Sequence, residues 1–289
     1  MNRWALCIIE RQTMKYRTTS VILLSLVIAA GCDDDEDGEA TSANNCDVVS
    51  TSSAQTTGSG GGSGGTSGQG GGALVPLKEA KLIIEHNATD LDTGFQGFLD
   101  GEGWERIDVT GPGGKVLRFE GLGSLKTHGL TELFFETVEP ENAEVPVDEL
   151  LQLLPEGEYT FAGPTVDGGW TEGTATLTHD IPAGPLLTAP AEGATVPTTG
   201  LVVSWDPVTQ TINGDSVTIT SYQLIIEKDE PPPAKSIGKR GLSMYLPPTV
   251  TSMTIPDEFL EPATPYLWEV LAIEESGNQT LSSSAFQTE

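Results

Sequence analysis

The densest set of hard oxygen ligands in the chain lies in residues 87–102. Asn87-Ala-Thr-Asp90-Leu-Asp92-Thr-Gly94 places oxygen ligands at alternate positions, and Asp100-Gly-Glu102 lies a short loop away. Hard cations such as calcium take roughly six to eight oxygens, often from Asp-x-Asp turns. Asn87, Asp90, Asp92, Asp100 and Glu102 are therefore the calcium candidates. A complete calcium-binding loop is not spelled out, and an acidic turn without metal accounts for the same residues. No other pattern asks for a cofactor. The histidines His86, His128 and His179 form neither a His-x-x-x-His nor a His-Glu-x-x-His pair. Outside the glycine tract there is no Gly-x-Ser-x-Gly. The chain has 42 Asp and Glu, so a carboxylate pair that might cleave glycosides can be imagined anywhere and carries no information. The expectation is a protein without catalytic residues.

The most specific chemistry belongs to Cys32. From Met14, Met-Lys-Tyr-Arg-Thr-Thr-Ser is a short basic segment. Val21-Ile-Leu-Leu-Ser-Leu-Val-Ile-Ala-Ala30 follows as an apolar run. As a helix it would be about 15 Å long, half a bilayer core, which suits a signal peptide rather than a membrane span. The run ends in Ala29-Ala30-Gly31-Cys32. This resembles the lipobox of bacterial lipoproteins, although that pattern prefers Leu where Ala29 stands. The resemblance implies lipidation (palmitate among the acyl chains) of Cys32, cleavage before it, and anchoring to a membrane. Several acyl chains hold where one would not. The acidic run Asp33-Asp-Asp-Glu-Asp37-Gly-Glu39 comes next. Such a run resembles a surface-export signal in some bacteria and, through its first Asp, an inner-membrane retention signal in others. The outer membrane or cell surface is the favoured address, with the periplasmic face of the inner membrane as the alternative. Cys7 would leave with the leader, and Cys46 is an idle thiol on the tether.

Residues 40–73 are mainly Ser, Thr, Asn and Gly, with nothing to bury. They read as a disordered, Gly/Ser-rich linker. With the acidic run it has an r.m.s. reach of roughly 35 Å. The formal net charge is -28, and the basic leader makes the remainder more acidic still. Such a surface repels phosphate backbones, which excludes nucleic acid as a partner. The organisation expected is a signal peptide over 1–31, a lipidated linker over 32–73, and folded domains over 74–184 and 185–289.

In 185–289 strand-like runs alternate with turns. Leu201, Val203 and Trp205 share a face, as do Tyr222, Leu224 and Ile226, and Tyr266, Trp268, Val270 and Ala272. These aromatics keep phase with aliphatics and are expected in a core rather than on a binding surface. Trp205-Asp-Pro207, the segment Asn213–Tyr222, and Leu260-Glu-Pro-Ala-Thr-Pro-Tyr266 together resemble the fibronectin type III family. The resemblance implies a β-sandwich with a tyrosine corner at Tyr266. Pro231-Pro-Pro233 and a long segment before Tyr245 leave the strand after Tyr222 uncertain.

Residues 74–184 have the same texture. Lys81–Glu85, Trp104–Val109, Lys115–Glu120, Glu132–Val138, Glu158–Phe161 and Thr174–Thr178 read as strands. Pro146–Leu154 reads as a short helix with acids in its first turn. Leu153-Leu-Pro-Glu-Gly-Glu-Tyr159 echoes the corner of immunoglobulin-like folds. The fold class expected is all-β, with two tandem immunoglobulin-like sandwiches. The function expected is a non-catalytic envelope lipoprotein making protein or glycan contacts. The alternatives are a structural spacer or assembly subunit, and an accessory component of an envelope enzyme or transporter.

Overall fold

The computed structural model describes residues 72–236 and 239–289. The signal peptide, Cys32 and the tether up to residue 71 lie outside them. The chain is all-β, and its described part holds two β-sandwiches.

The first sandwich begins with β1 (Leu74–Pro76), β2 (Glu79–Asn87) and β3 (Asp92–Trp104). Then come β4 (Arg106–Gly111), β5 (Gly114–Glu120), helix α1 (Ser124–His128) and β6 (Leu130–Glu136). Helix α2 (Val147–Leu150), continued by a turn of 3₁₀ helix, leads to β7 (Gly157–Pro164) and β8 (Trp170–Leu177). One sheet has the order β1-β8-β7-β4-β5, and facing it are β2, β3 and β6. Alternation decides the burial. Leu82 and Ile84 of β2 and Phe95 and Leu99 of β3 point inward against Ile107, Val109, Tyr159 and Phe161. The short helix expected over 146–154 is present, and Leu150 is its buried residue.

The second sandwich comprises β9 (Leu187–Ala189), β10 (Ala194–Val196), β11 (Val202–Trp205) and β12 (Ile219–Lys228). It continues with β13 (Gly241–Leu246), β14 (Ser252–Thr254), β15 (Pro265–Glu274) and β16 (Gln279–Thr288). Strands β14-β11-β9 form one sheet, and β13-β12-β15-β16 form the other, with β10 also on β16. The strand left uncertain by the prolines exists: β13 pairs with β12 from Tyr222↔Leu246 to Glu227↔Gly241. The expected corner is in place as well. Tyr266 Oη accepts the Glu261 N–H at 2.9 Å and donates to the Phe259 carbonyl at 3.3 Å. This sandwich is immunoglobulin-like, with a tyrosine corner. The first sandwich has its own corner, where Tyr159 Oη donates to the Pro155 carbonyl at 2.7 Å.

The two sandwiches share a sheet. β16 pairs in parallel with β2, Gln279↔Glu85 through Leu281↔Asn87, so one eight-stranded sheet runs β13-β12-β15-β16-β2-β3-β6, with β10 as the eighth strand on β16. Asn278 extends this short ladder by a rung. Its Oδ1 accepts the Ile84 N–H at 2.8 Å. Its Nδ2 donates to the carbonyls of Thr178 at 3.0 Å and Asp180 at 3.2 Å, where the chain passes between sandwiches. At the other end the Ala88 N–H reaches the Leu281 carbonyl at 2.9 Å. Thr280 Oγ1 donates to the Pro182 carbonyl at 2.5 Å. Every described residue belongs to one compact unit.

Candidate functional site

Strands β2, β3 and β6 position a cluster of carboxylates at this joint. Glu85 projects from β2 opposite Gly94 of β3, on the face turned away from Leu82 and Ile84. Gly94 has no side chain, and Glu139 occupies the space above it. Glu136 ends β6 across from Gln96 of β3. Carboxylate oxygens of Glu85, Glu136 and Glu139 all lie within 4.8 Å of one another.

Two amides tie the cluster together. Gln279 Nε2 donates to Glu85 Oε2 across the joint, and also to Gln96 Oε1 at 3.3 Å. Gln96 Nε2 in turn donates to Glu136 Oε1 at 3.4 Å. Glu85 is 2% exposed. Burial, then the charge of Glu139, pushes its carboxyl well above the usual carboxylate range. Burial and the neighbouring Glu136 and Asp92 push Glu139 to about 8. The arrangement can hold protons at neutral pH. Among the described residues it is also the set of acids close enough together to hold one metal ion.

The five calcium candidates are not assembled, which corrects the expectation of one site. Asn87 and Asp92 face each other at the hairpin turn between β2 and β3, whereas Asp100 pairs with Glu79 at the far end of the same hairpin. Eight residues of strand separate Asp92 from Asp100, about 27 Å. At the turn, Asn87 Oδ1 accepts the N–H groups of Thr89 and Asp90 at 2.9 and 3.0 Å, and its Nδ2 donates to Asp90. Its oxygen is spent on closing an Asx turn. Asp100 and Glu102 meet Lys78 instead, at 3.9 and 3.7 Å. Asp92 faces the cluster that does form, through its effect on Glu139.

His86 and His179 have structural partners. His86 Nδ1 contacts Thr93 Oγ1 at 2.9 Å, but Thr93 is fully buried and gives its own proton to Asn142 at 3.0 Å. No substrate could reach that hydroxyl. His179 Nε2 donates to the Leu154 carbonyl at 2.9 Å and pins the segment after β8 to the α2 turn. The aromatics Trp205, Tyr222, Tyr266 and Trp268 are core, each 2% exposed or less.

Glu85, Glu136 and Glu139 escaped the sequence reading because Glu85 is distant in the chain from the other two, and only the pairing of β2, β3 and β6 brings them together. Their one sequence signal is that Glu85 directly follows the apolar run Leu82-Ile-Ile84 on β2. No family model matches the chain, and no curated protein matches it. Among solved structures, the crystal structure of chicken CNTN1 FN1–FN3 domains is similar at 12% identity and TM-score 0.27, with 73% of this chain and 65% of that chain covered. A tetra-tandem repeat in the extending region of a large adhesion protein is similar at 11% identity and TM-score 0.25, with 73% and 50% covered. Likenesses this slight carry no weight for fold or function.

Proposed function

We propose that this chain is a lipid-anchored envelope protein. Its joined sandwiches serve as a non-catalytic platform for contacts with a protein or glycan, at the outer membrane or cell surface. The observation that carries the reading is the shared sheet. Two immunoglobulin-like sandwiches, joined strand to strand, follow a lipobox-like Cys32, an acidic run and a glycine-rich tether. The anchor would fix the protein to the membrane. The tether would let the platform stand clear of the lipid by tens of ångströms, roughly 35 Å r.m.s.. The joint would hold both sandwiches as a single surface, which suits presentation to a large partner.

Two experiments test the reading. Metabolic labelling with a palmitate analogue should mark the parent chain and leave Cys32→Ala unlabelled and released from the membrane. Pull-down from intact envelopes should then enrich specific partners over a lipoprotein carrying the tether alone. Labelling that survives Cys32→Ala would overturn the anchor. Recovery of the same set by the tether alone would overturn the platform and favour a spacer.

A further inference from the structure

We propose that the outer face of the five-stranded sheet in the first sandwich binds an acidic glycan. Trp170 stacks on a sugar ring, and Arg106, Lys115 and Arg118 take the carboxylate of a uronic acid. The site rests on the reading of this chain as a contact platform, and it gives that platform a ligand class.

The inner face of this sheet packs Ile107, Val109, Tyr159 and Phe161 into the core, so alternation turns Arg106, Asp108 and Thr160 outward. The strand registers set the outward side chains in rows. Trp170 of β8 stands beside Pro164 of β7, and carrying the β4–β7 register two residues on brings Arg106 level with them. Glu172, Ala162, Asp108 and Arg118 make the next row. In the third, Thr160 and Thr110 lead to Lys115. Leu74 of β1, beside Trp170, is 63% exposed, so this edge of the face is open to solvent.

The chain carries a net charge of -28, yet three cations converge here on one carboxylate. Asp108 meets Arg118 at 2.6 Å, Lys115 at 3.0 Å and Arg106 at 3.3 Å. A β-bulge makes the set possible. The β4–β5 register slips between Val109 and Thr110, so Lys115 and Arg118, three apart in the chain, share the outer face instead of pointing to opposite ones. The Asp108 side chain is sunk to 16% exposure, while those of Lys115 and Arg118 are each 48% exposed. One carboxylate balances one of three positive charges. Arg118 spends two of its five N–H donors on Asp108. Glu120, across from Arg106, meets Lys126 at 3.7 Å.

These groups select the partner's chemistry. A planar carboxylate matches the guanidinium fork, and Asp108 shows the donors already arranged for that group. A phosphate-rich polymer would bring more negative charge against an acidic body. Beyond the cations the face is low and neutral, with Ala162 and Thr160 on β7. The hydroxyls of Thr160 and of Thr174 beside it both donate and accept. Glu172, exposed on β8, accepts hydroxyl protons and repels a second carboxylate. The ligand is thereby oriented, carboxylate over β4 and β5, hydroxyls over β7 and β8. Trp170 is half-buried and stands outside the core cluster. Its indole has an apolar face and a polar edge, which suits the C–H face of a sugar. From β8 to β4 is two strand spacings, about 10 Å, so one short stretch of glycan reaches both the indole and the cations. A protein partner would call for a central cluster of large buried anchors, whereas this face has Trp170 and Leu74 at one edge.

The test presents the full chain, in neutral detergent, to an array of glycans bearing uronic acid, phosphate, sulfate or no charge, with poly-glutamate alongside. Binding confined to uronate-bearing glycans is expected. It should weaken about tenfold in Trp170→Ala and about tenfold in Lys115→Gln. Both side chains lie outside the core, so thermal melting should stay near the parent's; if Trp170→Ala melts early, Lys115→Gln carries the comparison. An array silent for uronates would overturn the site, as would uronate binding that Lys115→Gln retains in full. Equal binding of phosphorylated or neutral glycans would overturn it too, and equal binding of poly-glutamate would do so in favour of an acidic protein. Uronate binding lost in the variants keeps this site whatever the envelope pull-down returns. A silent array beside enriched partners sinks this site alone.

Discussion

Asn278→Ala removes the side chain that extends the shared ladder, and its cost can be worked from the contacts. Asn278 is 1% exposed, and Ile84, whose N–H it accepts at 2.8 Å, is fully buried. After the substitution that N–H has neither a partner nor water. A stranded buried donor costs about 1–3 kcal/mol. The two Nδ2 bonds to the Thr178 and Asp180 carbonyls go as well, at a net of about 1 kcal/mol each where the carbonyls stay dry. Some carbonyl oxygens will find solvent, so the expected loss is about 3 kcal/mol. With a urea slope of about 3 kcal/mol per molar for a domain pair of this size, the midpoint falls by about 1 M. The assay is urea unfolding followed by tryptophan fluorescence, since Trp104 lies in the first sandwich and Trp205 and Trp268 lie in the second. The parent should give one cooperative transition and Asn278→Ala two separated ones. A midpoint shift below about 0.3 M with a single transition retained would refute the reasoning, because the joint would then not depend on this rung.

Three further outcomes are expected. Tyr266→Phe should cost about 1–2 kcal/mol, since the hydroxyl both accepts the Glu261 N–H and donates to the Phe259 carbonyl; thermal melting checks it, and Tyr159→Phe should cost less because it loses one bond. Gly163→Ala should destabilise the first sandwich by about 1–3 kcal/mol or more, because a Cβ there would run into the backbone carbonyl of Arg106 on the neighbouring strand; chemical denaturation reads it. Asp108 is held down to about 2, first by the Arg118 guanidinium at 2.6 Å and then by Lys115. Its folded value lies below its unfolded one, so its contribution is present above pH 4 and lost as pH falls toward 2. Asp108→Asn should flatten the acid limb of the stability–pH curve by about 1 kcal/mol, a solvent-screened figure.

Much of the fold was legible because burial follows alternation. Tyr222-x-Leu224-x-Ile226 and Tyr266-x-Trp268-x-Val270 are buried on schedule, and the tyrosine corners were visible as short spacings before Tyr266 and Tyr159. The longest strand, β3, was not legible. Asp92–Trp104 carries four glycines and three acids, which reads as a loop by propensity. The pattern Phe95-x-Gly97-x-Leu99 was its sign. Gly97 stands where a large apolar residue would be expected because the ring of Phe135 lies over it. Taking that stretch for a loop is what placed Asp92 and Asp100 near each other as joint calcium ligands. The carboxylate cluster was illegible for a different reason. It depends on the pairing of β2, β3 and β6 bringing Glu85 to the distant Glu136 and Glu139, and that arrangement leaves no periodic mark of its own.

The account rests on the two sandwiches behaving as one body, and the distance between spin labels at Leu153→Cys and Thr249→Cys tests it most directly. At pH 7 the account predicts a single narrow distribution that Asn278→Ala broadens. A broad distribution in the parent chain at that pH would contradict it.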